Sequence, residues 1–138
     1  MKIVIPGGTG QVGAVLARAF RADGHEVVIL SRSAKHSGGS GDRASSYDPR
    51  VVDWDATRLG PWPAELEGAD VVINLAGRSV NCRYNARNRR DIMESRVRST
   101  RLIGEAIARA IKPPRIWLQS STATIYAHRY DAPNDERT

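Results

Sequence analysis

Seven residues near the start of the chain, Gly7-Gly8-Thr9-Gly10-Gln11-Val12-Gly13, constrain its fold more than any other stretch. They follow a β-branched run, Lys2-Ile3-Val4-Ile5, and open a segment of helical periodicity. Across residues 11–23, Val12, Val15, Leu16, Ala19 and Phe20 recur at i, i+3, i+4, i+7 and i+8, the stripe of a helix lying on a core. Gly24 then stands where helix ends favour glycine. A strand, a glycine turn and a helix in that order open a nucleotide-binding βαβ unit. Gly7 permits the tight turn, Gly10 lets a pyrophosphate approach the backbone, and Gly13 lets the helix pack closely. Free amides at the helix start face the anion. The whole run from Gly7 through Gly8, Thr9, Gly10, Gln11 and Val12 to Gly13 is therefore expected to hold it. No Gly-Lys-Ser/Thr follows, which excludes a P-loop.

The remainder alternates in the same way. Residues 26–30 and 69–75 read as buried strands, 50–53 as a weaker one and 115–119 as a fifth. Residues 33–48, rich in Ser and Gly and without periodicity, read as a mobile surface loop. Pro61 and Pro63 allow at most a short helical turn within 57–66, and a long helix over 88–111 is stopped by Pro113-Pro114. Apolar strands alternating with helices predict an α/β fold, a doubly wound parallel sheet of Rossmann type. It has about five strands in the order 3-2-1-4-5, with helices on both faces. There is no internal repeat, and 138 residues suit a single domain, 1–138.

Composition removes several alternatives. A chain 41% hydrophobic and 26% charged is neither disordered, collagenous nor a coiled coil. No apolar run approaches the ~20 residues that cross a bilayer, and the stretch 3–5 is too short for a signal peptide. The single Cys82 cannot form an internal disulfide, and His25, His36 and His128 lack ligand spacing, so no metal site is expected. The expectation is a soluble, cytoplasmic protein without a membrane partner. The net charge of +6 falls wholly within 78–101, where eight arginines face Asp91 and Glu94. Such a patch can serve nucleic acid, a phosphorylated ligand or solubility.

Two places narrow that choice. The second strand ends Leu30-Ser31-Arg32-Ser33, where an Asp or Glu would bind the ribose hydroxyls of NAD. No carboxylate is present, and Arg32 is placed to meet a 2′-phosphate bidentately. NADP(H) is the expected cofactor, with Ser31 and Arg32 at its ribose. The long helix, unrolled at about 100° per residue, gathers Met93, Val97, Thr100, Ile103, Ile107, Ala110 and Ile111 toward the sheet. Arg90, Arg98, Arg101 and Arg109, with Asp91, Glu94 and Glu105, fall on the opposite, solvated side. Their mixed signs, with Tyr84 the one aromatic nearby, argue against nucleic acid. Arg89 and Arg96 fall inside the apolar arc, where a charge needs a partner. A cofactor phosphate is the expected partner of Arg96, while Arg89 is expected to precede the regular helix.

These motifs together resemble a known family. Gly-Gly-Thr-Gly-x-x-Gly, Ser31-Arg32, Trp54-Asp55, Asn74-Leu75-Ala76-Gly77, Ser95-Arg96-Val97 and Ser120-Ser121-Thr122-Ala123-Thr124-Ile125-Tyr126 resemble the extended and atypical short-chain dehydrogenases/reductases. The chain is most similar to their NAD(P)-dependent epimerase-like branch, relatives of the sugar-nucleotide epimerases. The resemblance implies that Leu75, Ala76, Gly77 and Arg96 meet the cofactor. It also implies that Thr122, just beyond the fifth strand, hydrogen-bonds a substrate oxygen beside a Tyr-x-x-x-Lys acid/base pair. That pair is missing: Tyr126 is followed at +4 by Tyr130, and the last lysine is Lys112. Family members run to about twice this length, so the resemblance implies an N-terminal half without its C-terminal substrate lobe. Exposed apolar surface on the fifth strand would then favour a homo-oligomer. Two functions stay open. One is the NADP(H)-binding module of an enzyme moving hydride at an alcohol or carbonyl carbon of an unidentified small molecule, with sugar nucleotides among the candidates. The other is a non-catalytic NADP(H)-sensing regulatory or interaction protein. The hydroxyls at 120–122 favour the first and the missing Tyr/Lys pair the second.

Overall fold

Successive side chains of a strand point to opposite faces, so a strand apolar at every position must be covered on both sides. The computed structural model, which describes residues 1–32, 49–122, 126 and 129–135, builds the sheet in that way. Five strands, β1 (Lys2–Pro6), β2 (Glu26–Ser31), β3 (Arg50–Asp53), β4 (Val71–Asn74) and β5 (Ile116–Gln119), lie parallel in the order β3-β2-β1-β4-β5. Val4 stands in register with Val28 on one side and Val72 on the other. The predicted loop at 33–48 lies outside the described residues.

Helix α1 (Gln11–Ala22) covers one face, where Ala17, Leu16 and Phe20 meet Ile3, Ile5, Val27, Ile29 and Ile73. Its C-terminus closes in a Schellman turn. Gly24 adopts φ +78°, its N–H bonds Arg21 O at 3.0 Å, and His25 N–H bonds Phe20 O at 2.9 Å. The other face packs Val4, Val28, Leu30 and Val72 against Ile103 and Ala106 of α2 (Ala86–Arg109). Trp54, Leu66 and the 3₁₀ turn Trp62–Glu65 complete that layer. Burying each such aliphatic side chain stabilises the sheet by about 1.5–3 kcal/mol.

Helix α2 departs from expectation twice. It begins at Ala86 because the Asn85 side chain accepts the Asn88 N–H at 2.8 Å, so Arg89 stands in the first turn instead of before the helix. It is also rotated. Ser99, Ile103 and Ala106 are buried, whereas Met93 and Val97 are exposed; Ile111, also exposed, falls beyond the end of the helix at Arg109. Ser99 can occupy the centre of the buried face because its hydroxyl donates to Arg96 O at 3.0 Å, which removes the cost of burying it. Its small size lets the helix approach the sheet.

Strand β5 forms one edge, and Ile116, Trp117, Leu118 and Gln119 are all exposed. Among the described residues no helix is long and apolar enough to cross a membrane. No group of three or more His, Cys, Asp or Glu among them could hold a metal ion.

Candidate functional site

In a parallel sheet the loops that leave the carboxyl ends of the strands share one edge. Here they enclose a cavity of about 480 Å3. Gly7, Thr9 and Gly10 contribute from the turn after β1, and Leu30, Ser31 and Arg32 from the end of β2. Trp54, Asp55, Ala56 and Thr57 follow β3, Leu75, Ala76, Gly77 and Arg78 follow β4, and Asp91, Glu94, Ser95 and Arg98 project from α2.

The glycines of the turn differ in what surrounds them. A Cβ on Gly7 (φ +78°) would lie 2.8 Å from Ala76 Cα, and one on Gly8 would lie 2.9 Å from Ile5 O. A Cβ on Gly13 would lie 2.4 Å from Gly8 Cα and Gly8 O. Gly7, Gly8 and Gly13 are therefore glycines because backbone presses on backbone. Gly10 differs: its Cβ would meet Gly7 O at 3.5 Å and nothing nearer. As N-cap of α1 it supplies no capping side chain, and the first intrahelical bond runs from Ala14 N–H to Gly10 O at 2.8 Å. The Gln11, Val12 and Gly13 amides thus have no acceptor within the helix. The side chains of Gln11 and Val12 are exposed and lie outside the cavity lining.

Electrostatically the wall is half neutralised. Asp91 pairs with Arg78, and Glu94 lies 3.7 Å from Arg98. Asp55 Oδ1 accepts the Thr57 and Arg58 N–H groups at 2.8 and 3.2 Å, while Arg58 Nε reaches Oδ2 at 3.1 Å. The Thr57 hydrogen bonds above all hold that carboxyl below its usual range. The turn is tight enough to place Ala56 at φ +57°. Arg32 lines the cavity and forms no ion pair among the described residues. Thr9 Oγ1 and Ser31 Oγ, 3.1 Å apart, tie the glycine turn to the end of β2. Buried Asn74 organises the β4 end, donating to Gln119 Oε1 at 2.8 Å and accepting the Ala76 N–H at 3.0 Å.

The structure thus brings Gly7, Thr9, Gly10, Ser31, Arg32, Leu75, Ala76 and Gly77 to one cavity. Arg96 is not in its lining. Its Nη1 donates to two backbone carbonyls, Arg78 O and Ile92 O, each 3.1 Å away. Asp91, Glu94 and Arg98, expected on the solvated side, line the cavity instead, as the rotation of α2 requires. Thr122 lies three residues beyond β5, exposed and outside the lining. The sequence assigns residues 54–57 no part in the site, although Trp54-Asp55 carry part of the family resemblance and their place after a parallel strand is the available signal. Trp54 brings a buried indole N–H that has no hydrogen-bond partner among the described residues.

A parallel sheet in this order, with a glycine turn opening the first helix at a cavity on its carboxyl edge, is a Rossmann-type nucleotide-binding domain. The chain belongs to the NAD dependent epimerase/dehydratase family, whose model matches residues 3–138. It is 29% identical to the epimerase family protein SDR39U1 of Bos taurus over 139 residues, 99% of this chain and 42% of that protein. It is 32% identical to the epimerase family protein YfhF of Bacillus subtilis over 126 residues, 91% of this chain and 39% of that one. The crystal structure of human SDR39U1 (isoform 2) with NADPH superposes with a TM-score of 0.77 at 30% identity, covering 100% of this chain and 42% of that one. The chain spans about two-fifths of the length of these curated relatives.

Proposed function

We propose that residues 1–138 form the NADP(H)-binding domain of an epimerase-like atypical short-chain oxidoreductase. One observation carries the choice of cofactor. At the end of β2 the cavity is lined by Ser31 and Arg32, with no carboxylate there to select NAD, and Arg32 has no ion-pair partner among the described residues. The human relative solved with NADPH supports the same reading.

The residues present fit a dinucleotide. The space before Gly10 admits an oxyanion close to the backbone, and the α1 amides and helix dipole attract it. Gly7, Gly8 and Gly13 set the shape of the turn, Thr9, Gln11 and Val12 complete it, and Leu75, Ala76 and Gly77 form the opposite wall. Arg32 meets the 2′-phosphate as a fork. When bound, the cofactor supplies hydride at its nicotinamide ring. The parent protein exchanges that hydride with an alcohol or carbonyl carbon, sugar nucleotides being the candidate substrate class, and the Thr122 hydroxyl holds the substrate oxygen.

Titration calorimetry tests the reading: NADPH binds at least ~10-fold tighter than NADH, about 1.4 kcal/mol, and Arg32→Asp shrinks or inverts the preference. Equal affinities for the two cofactors would sink it.

A further inference from the structure

We infer that Ser95 and Arg96 are positioning residues that hold both polar groups of Arg78 and thereby fix the Ala76–Gly77–Arg78 wall of the cavity; its consequence for binding rests on the NADP(H) reading. Ser95 Oγ accepts the Arg78 N–H at 2.9 Å and donates to Ile92 O at 2.9 Å. Arg96 Nη1 donates to Arg78 O at 3.1 Å. The Arg78 guanidinium is held as well, by Asp91 and by Asn88 Oδ1 at 2.9 Å. One helix therefore grips a single loop residue by its amide, its carbonyl and its side chain.

The loop needs this grip. Leu75 N–H still bonds Pro6 O of β1 at 2.9 Å and Ala76 N–H bonds Asn74 Oδ1, but residues 77–85 form neither strand nor helix, so no ladder fixes their backbone. Arg96 also accounts for Gly77. A Cβ there would lie 3.1 Å from Arg96 Cζ and 3.2 Å from its Cγ, so the guanidinium stem packs on bare backbone while Gly77 lines the cavity. Both acceptors of Arg96 are neutral carbonyls on Nη1, which hold the side chain in place without cancelling its charge.

A direct phosphate contact by Arg96 and a clamp by the Ser95–Arg96 pair predict different variants. Removing the Ser95 hydroxyl leaves every charge in place and breaks its two hydrogen bonds, from the Arg78 N–H and to Ile92 O, so the Arg78 exchange rate, read without ligand, reports the clamp apart from the place of Ser95 in the cavity lining. In the ligand-free chain, Ser95→Ala and Arg96→Met should each speed hydrogen exchange of the Arg78 amide about tenfold and leave the Val4 and Val72 amides unchanged. Each should raise the Kd for NADPH about three- to tenfold. The double variant should be no weaker than the worse single one, because both changes undo one device. Ser95→Thr, which keeps the hydroxyl, should behave as wild type. Unchanged Arg78 exchange in both variants would overturn the clamp. So would wild-type affinity in Ser95→Ala beside a loss beyond tenfold in Arg96→Met, which would return Arg96 to the phosphate. Failure of the wild-type chain to bind NADPH would strike the cofactor reading alone, since the exchange measurement decides the clamp without ligand.

Discussion

Gly10→Ala and Gly13→Ala should separate binding from folding. Gly13 has no room: its added methyl would stand 2.4 Å from Gly8 Cα and O, about 1 Å inside ordinary contact, and backbone cannot swing aside. Overpacking of that kind costs about 1–3 kcal/mol, against at most ~1 kcal/mol regained from the helix propensity of alanine. At this chain length each kcal/mol moves Tm by roughly 3–5 °C, so the net cost of up to about 2 kcal/mol should lower the melting temperature of Gly13→Ala by up to about 10 °C. Gly10 sits at φ −72° and ψ 171°, which alanine adopts freely, and its methyl would meet only Gly7 O at 3.5 Å. Its folding cost is the loss of a glycine N-cap, below ~1 kcal/mol. The methyl would nevertheless occupy the space assigned to the pyrophosphate. Losing one charge-assisted hydrogen bond costs about 1.5–3 kcal/mol, which is about 10- to 100-fold in NADPH affinity. Scanning calorimetry and NADPH titration of the two variants decide the matter. Equal destabilisation by both, or wild-type affinity in Gly10→Ala, would refute the assignment of the open space at Gly10.

Further expectations concern stability, association and turnover. Arg50 hydrogen-bonds Glu65 at 2.7 Å and holds its carboxyl below the ordinary 4.5. The stability this adds is complete above pH 4.5 and is lost as pH falls through the depressed value, so acid titration should unfold wild type more steeply than Glu65→Gln; parallel curves would show that the pair contributes nothing. The exposed apolar edge at Ile116, Trp117 and Leu118 should drive concentration-dependent self-association, reduced by Leu118→Lys in sedimentation experiments; a wild-type chain monomeric at every concentration would contradict this. The 138-residue chain should bind NADPH without oxidising it across a panel of carbonyl compounds and sugar nucleotides. Sustained oxidation abolished by Thr122→Val would make Thr122 catalytic in its own right.

What the sequence determines here is local. The glycine turn, the five apolar strands and Ser31-Arg32 at the end of the second are each read from neighbours within a few residues, because turn stereochemistry and strand burial act over that range. The strand order then follows from connections that admit one handedness. The rotation of α2 is another matter. Unrolling the helix weighs apolarity alone, which put Met93 and Val97 inward and Arg98 outward, whereas both apolar side chains are exposed and Arg98 lines the cavity. The deciding terms were a serine that satisfies its own hydroxyl at Ser99 and close approach to the sheet at Ala106. Only the packed structure contains them. The hydrogen bonds of Arg96 were likewise beyond the sequence: that its Nη1 donates to the carbonyl of Arg78, 18 residues away along the chain, depended on where the loop after β4 came to rest.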